Sequence, residues 1–227
     1  YIIPAFSSAA GAAPGSRDVV IERADTTVRF ARDGTRSLQV ALRIKVLTDA
    51  AVQQFAQVAY TYDAYQTTAR FEHLEVQKPS GQVTRAGAAG VTDVSIQALP
   101  NVFTDLRQMR VPVPGLAPGD TINYRFVEHS TRALVPGHFW FQHRFTTGAV
   151  VDSESLAIDV PADRAVEART AAACKDAFAG SEENGDRRVY RWKRSNPEPC
   201  LMTTLVEKAQ EGRLDPPDVQ VTTLRSW

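Results

Sequence analysis

Four histidines, two cysteines, several close-set carboxylates and two aromatic runs are the residues of this 227-residue chain whose types could do chemistry. A metal centre needs several ligands converging in one coordination sphere. His138 and His143 lie five apart, so on a strand they point to opposite faces. His129 reaches His143 only across a tight hairpin, and His73 is remote in sequence. That gives at most two ligands, and no metal site is assigned. A reactive thiol needs a cationic or basic neighbour that holds the thiolate. Cys174 sits in "TAAACKDAF" and Cys200 follows "NPEP", with no histidine near either in sequence. A bridge between them closes a loop of about 25 residues, worth roughly 3–4 kcal/mol in an oxidising compartment. Both the bridged and the free state fit the sequence. Asp152 and Glu154 are two apart on one strand, with Asp159 nearby. Paired carboxylates can transfer protons or hold calcium, but strand alternation makes these an outward polar face. The GxSxG, HExxH, P-loop and GxGxxG patterns are absent. No catalytic residue, no cofactor and no enzyme activity is expected from these residues.

The aromatic run "HFWFQHRF" (138–145) offers a different chemistry, that of binding. On a strand Phe139, Phe141, His143 and Phe145 share one face, which reads as core. His138, Trp140, Gln142 and Arg144 share the other, a candidate platform on which a sugar or peptide stacks. The plainer alternative is a central strand covered on both faces. "DRRVYRWKR" (186–194) interleaves basic and aromatic residues, as single-strand nucleic-acid grooves do. With 26 basic and 26 acidic residues the formal net charge is zero, so no global field favours nucleic acid. A strand anchored by Tyr190 and Trp192 explains this run.

The elements that must position these residues alternate with period two. "VVIERA" and "TTVRFAR" read as strand, Asp33-Gly34 as a hairpin turn, and Ser37–Leu47 as a long half-buried strand. "TDAAVQQFAQ" reads as a helical turn capped by Thr48 or Asp49. "QVAYTYD", "TTARFEHLEVQKP" and "QVTRA" follow as strands, then a looser stretch with a short strand at Val91–Ile96. In "LRQMRVPVPGLAPGD" Pro112 and Pro114 place the segment at a sheet edge or a strand end. "TINYRFVEHSTRAL" puts Ile122, Tyr124 and Phe126 on one face, and pairs with "HFWFQHRFTT" across Val135-Pro136-Gly137. "SESLAIDVP", "RVYRWKR" and "DVQVTTLRSW" are further strands. "TAAACKDAFAGSEENGDRR" reads as a loop with one helical turn, and Leu201–Leu214 as a short helix. The expected fold is all-β, a mostly antiparallel two-sheet β-sandwich of about twelve strands with short helical turns. Residues 1–17 read as an N-terminal linker or mature N-terminus, and 18–227 as a single β-sandwich domain. No apolar run approaches the roughly 20 residues of a membrane span.

Taken in order, four segments carry a family resemblance: "TVRFARDGTRSLQVALRIKVLTDAAVQQF", "ARFEHLEVQKPSGQVT", "FTDLRQMRVPVPGLAPGDTINYRF", and "YRWKRSNPEP" with the ending "VQVTTLRSW". The chain resembles the bacterial domain of unknown function found N-terminal to transglutaminase-like domains in exported proteins. The match spans about residues 18–227. Ser80 stands where the family usually has an acid, and "YIIPAF" lies outside the match. The resemblance implies a non-catalytic accessory β-sandwich in a periplasmic or extracellular protein. Its partner would be a downstream transglutaminase-like domain, to which it positions or presents substrate. A free-standing carbohydrate- or peptide-binding module is the alternative. Trp227, after Ser226 at a break in the alternation, reads as a contact to the next domain.

Overall fold

A computed structural model describes residues 18–96, 105–198 and 217–224. The expectations for Cys200, for a helix at Leu201–Leu214, for the segment 1–17 and for Trp227 lie outside the described residues. Within them the chain is all-β, with fourteen strands in two layers.

The first layer is one eight-stranded sheet, in the order β12-β13-β10-β1-β2-β8-β4-β5. Its members are β1 (Val19–Phe30), β2 (Arg36–Val46), β4 (Thr67–Gln77), β5 (Val83–Arg85), β8 (Thr121–Ser130), β10 (Val150–Pro161), β12 (Phe178–Asn184) and β13 (Arg187–Asn196). All pairs are antiparallel except β1 with β10. Phe126, Val40, Thr26, Leu156 and Trp192 stand in register across five strands, so they share one face. That face is buried. The opposite face carries partly exposed pairs such as Arg43–Glu22 and Arg125–Glu72.

The second layer is split. One small sheet has the order β3-β7-β6, from β3 (Gln57–Asp63), β7 (Leu106–Pro112) and β6 (Thr92–Ser95). The other has the order β11-β14-β9, from β11 (Glu167–Thr170), β14 (Val219–Thr222) and β9 (Trp140–His143). Both cover the same face of the large sheet. Tyr60 of β3 packs its ring 4.0 Å from Phe126. Phe139, beside β9, stacks on Phe30 at 4.3 Å. Thr170 of β11 accepts a hydrogen bond from the Trp192 indole at 2.9 Å. Ile122, Tyr124, Phe126, Phe139, Phe141 and Phe145 all join one hydrophobic core, as the alternation predicts. Burying large aromatic side chains contributes several kcal/mol each.

Local chemistry explains most boundaries. Gly34 takes φ +92° in the β1–β2 turn, a conformation glycine adopts without a Cβ clash. The single-turn helix α1 (Asp49–Gln54) is capped by Thr48, whose Oγ1 accepts from Ala51 N at 3.2 Å. Pro112 closes β7, a strand end as expected, although β7 is the middle strand of its sheet.

Several expectations need correction. "VVIERA" and "TTVRFAR" form one strand, bent by a register shift between Ile21 and Arg23. The strands expected to pair across Val135-Pro136-Gly137 lie in different layers, since β8 pairs with β2 and β4 while β9 pairs with β14. β9 is therefore an edge strand, not a central one. Residues 178–184, read as loop, form β12 against β13, because polar residues suit an edge that faces water. Asp152 and Glu154 do not share an outward face. A register shift between Val151 and Glu154 breaks the alternation of β10 and turns Glu154 inward.

Candidate functional site

A cleft of about 190 Å³ opens beside β9, at the seam of the split second layer. Three of the four platform residues expected from the sequence line it: His138, Trp140 and Gln142. Arg144 is exposed one step further along and does not. The inward side chains Phe30, Phe139 and Phe141 also reach the cleft, bordered by Gln66 from the β3–β4 connection and by Thr67 at the start of β4.

The segment joining β8 to β9 forms the rim and is tied at several points. Gly137 N donates to Asp33 O at 2.8 Å. His138 O lies 2.5 Å from where a Cβ on Gly34 would stand. Only a glycine at position 34 lets the two loops approach so closely. Asp33 Oδ1 accepts from the Thr35 amide at 2.9 Å and hydroxyl at 2.6 Å. Those bonds to the hydroxyl and then the amide lower its pKa. Thr131 N donates to Gln66 O at 2.7 Å. Phe139 N donates to Thr223 Oγ1 at 3.0 Å, and Thr223 N returns a bond to Phe139 O at 3.1 Å. Between these ties the rim presents apolar surface. Leu134 is 75% exposed, and Val135 is exposed beside it. Arg132 lays its guanidinium over the exposed Tyr65 ring at 4.5 Å.

A buried charge pair supports the wall. Glu128 is fully buried and accepts from Arg36 NH2 at 2.6 Å. The Tyr60 hydroxyl donates to its second oxygen at 2.5 Å. Ser130 Oγ accepts from Arg36 N at 2.6 Å. Sequence reasoning missed this group, though a signal was present. Glu128 falls in phase with Ile122, Tyr124 and Phe126, and a carboxylate in step with a core face must find a partner.

The remaining candidates are dispersed. His129 is exposed at the end of β8, while His143 is buried under β9, so the two do not face each other. His143 Nε2 lies 3.5 Å from Glu154 Oε1, and Glu154 also accepts from Thr146 N at 2.8 Å. Among the described residues no three His, Cys, Asp or Glu side chains gather as metal ligands would. Cys174 carries a free thiol, 3% exposed. It donates to Asp218 Oδ1 at 3.3 Å and accepts from Arg194 NH1 at 3.1 Å. Burial first, and Asp218 second, push the thiol up to about 11. It is held protonated at neutral pH, the opposite of an activated nucleophile. Tyr190 and Trp192 anchor β13 as expected, with Trp192 buried and Tyr190 packed on the core.

The arrangement can take up an apolar group and orient it with His138, Gln142 and the rim's backbone. Among solved structures, a putative protease from Parabacteroides distasonis is similar in fold, with TM-score 0.79 at 14% identity. The likeness covers 92% of this chain and 41% of that one, so the chain spans less than half its length. An M1 zinc metallopeptidase from Deinococcus radiodurans gives TM-score 0.43 at 16% identity, over 82% of this chain and 41% of that chain. A family 3a carbohydrate-binding module from Clostridium thermocellum gives 0.28 at 14%, over 47% and 73%. No curated protein matches the sequence. The family pattern of DUF3857, a domain of unknown function with a solved structure, matches residues 32–200. Matched over more than half of its length, the chain belongs to the DUF3857 family of domains of unknown function.

Proposed function

We propose that this chain is the non-catalytic accessory β-sandwich of an exported, periplasmic or extracellular transglutaminase-like protein, and that its cleft presents substrate to a downstream domain. The observation that carries the reading is that nearly all of this fold corresponds to 41% of a longer chain described as a putative protease. A unit of that kind has its own core and serves its neighbour through a surface. The cleft beside Trp140 supplies such a surface. The buried, protonated thiol of Cys174 supports a structural role for the one cysteine in the described region.

The test is kinetic and uses the full-length parent protein. Trp140→Ala is expected to raise KM several-fold while leaving kcat within about twofold, the mark of lost ground-state binding. Loss of kcat at unchanged KM would place a reacting group in the sandwich and sink the accessory reading. A parent protein that carries no further domain would shift the assignment to the second reading, a free-standing peptide- or carbohydrate-binding module. The apolar, half-buried Trp140 in a cleft favours that reading next.

A further inference from the structure

A second hollow adjoins the cleft. It is a basin of about 560 Å³ that shares Phe30, Arg36 and Ser130 with it. Every charged residue lining this basin is basic: Arg29, Arg32, Arg36 and Arg187, with His129 beside them. They come from three strands and a turn. Arg29 lies at the end of β1, Arg32 in the turn that follows, Arg36 opens β2, and Arg187 opens β13. The carboxylates that balance them are not among the lining residues. Asp159 holds Arg187 at 2.6 Å, and Glu128 holds Arg36 from within the core. Those two guanidiniums are fixed as a preorganised floor. Arg29 and Arg32 stand differently, 63% and 58% exposed. Their ion pairs are long, 3.5 Å from Arg29 to Asp159, and 3.3 and 3.5 Å from Arg32 to Asp163 and Asp186. Both partners of Arg32 are themselves exposed, and Asp159 is held more closely by Arg187 than by Arg29. Long pairs of this kind contribute little, so both side chains can turn to an incoming anion. Guanidinium groups bind carboxylates in a bidentate, charge-assisted manner.

We propose that the cleft and the basin form one extended site for an acidic peptide. An apolar side chain lies against Trp140 and Leu134, and a carboxylate further along the same peptide reaches Arg29 and Arg32. The specificity rests on the reading that this face presents substrate, and it names that substrate's class. A neutral glycan would leave the basin's arginines unused, whereas an acidic peptide offers an apolar side chain to the cleft and a carboxylate to the basin, and it is therefore the occupant.

The experiment titrates acetyl-Leu-Glu-Asp-Glu-amide and its neutral counterpart acetyl-Leu-Gln-Asn-Gln-amide by calorimetry against the wild type, Arg29→Gln/Arg32→Gln and Trp140→Ala. The acidic peptide is expected to bind about tenfold tighter than the neutral one, with the margin shrinking in 0.5 M salt. Arg29→Gln/Arg32→Gln should erase that margin, and Trp140→Ala should weaken both peptides. The arginine variants remove only long pairs and leave Asp159 on its close pair with Arg187, and an unchanged thermal midpoint confirms their fold. Equal affinity for the two peptides overturns the proposal while leaving the cleft as a peptide site. Binding of neither peptide overturns both the proposal and the peptide reading of the cleft. Tighter binding of a single-stranded oligonucleotide than of the acidic peptide would also overturn it. Failure of the accessory role shows separately, as a parent enzyme whose KM ignores variants that do bind peptide less well.

Discussion

Replacing Arg36 with methionine tests the wall between the two hollows. Methionine keeps much of the stem but removes the charge that faces Glu128. The Glu128 side chain has no exposed surface, and that of Arg36 has only 11%. After the change the carboxylate keeps one strong partner, the Tyr60 hydroxyl. Breaking a buried pair by removing one member costs about 3–5 kcal/mol, because an uncompensated charge stays behind. For a chain of this size each kcal/mol moves the thermal midpoint by roughly 2–4 °C, so a drop of about 6–20 °C is expected. Glu128→Gln should cost less, about 1–3 kcal/mol, because the amide oxygen can still accept from the Arg36 guanidinium. The double variant Arg36→Met/Glu128→Leu removes both charges and fills their place with apolar atoms. It should recover most of the loss, as apolar replacement of buried pairs often does. Urea titrations of the wild type, Arg36→Met, Glu128→Leu and Arg36→Met/Glu128→Leu close a double-mutant cycle, with Glu128→Gln measured beside it. A loss below about 1 kcal/mol for Arg36→Met, or a double variant no more stable than the single one, would refute the buried-pair reasoning.

Three further outcomes follow from other parts of the structure. Gly34→Ala should destabilise by about 1–3 kcal/mol and shift Trp140 fluorescence, because φ +92° disfavours a Cβ and His138 O stands in its way; an unchanged midpoint and spectrum would mean the two loops are not in contact. Phe141→Ala should cost roughly 3–5 kcal/mol, and a change under about 1 kcal/mol in urea would mean the inner face of β9 is not core. Cys174 makes stability depend on alkaline pH: the unfolded thiol ionises from about pH 8.5, whereas the folded one holds its proton to about 11. The folded state therefore binds more protons across that window, and stability falls as pH rises through it, on the order of 3 kcal/mol in all. Cys174→Ser should flatten this profile and leave the parent protein's activity unchanged; loss of activity with the fold intact would assign the thiol a chemical role.

The strands were legible because alternation is a local property. Residues 57–63 and the hairpin at Asp33-Gly34 follow directly from composition and turn chemistry. Three of the four candidate platform residues line the cleft for the same reason, since period two decides which side chains of 138–144 face away from the core. What alternation could not show is where it breaks. The register shifts in β1, β4 and β10 depend on partners far away in sequence, and one of them buries Glu154. Pairing was also beyond local signals. A short segment between two strands suggested a hairpin, yet β8 and β9 go to different layers. The basic basin gathers side chains from residues 29 to 187, and no stretch of sequence contains it.

The parallel pairing of β1 with β10 sets a time order on the making of this protein. Ala24 pairs with Glu154, on the far side of most of the chain. Until β10 leaves the ribosome, β1 is an edge strand in a sheet not yet closed. At synthesis rates of about 5–20 residues per second, the 130 residues from Ala24 to Glu154 take roughly 6–26 s to be made. Hairpins such as β1–β2 form in microseconds, so the early sheet exists long before its partner. During that interval the apolar face of β1, with Val28 and Phe30, and its unpaired backbone are open to other chains. Such long-range pairing also places the domain among slow folders. The same connection that fixes the arginine basin in place leaves one edge of the nascent sheet open until about two-thirds of the chain has been made.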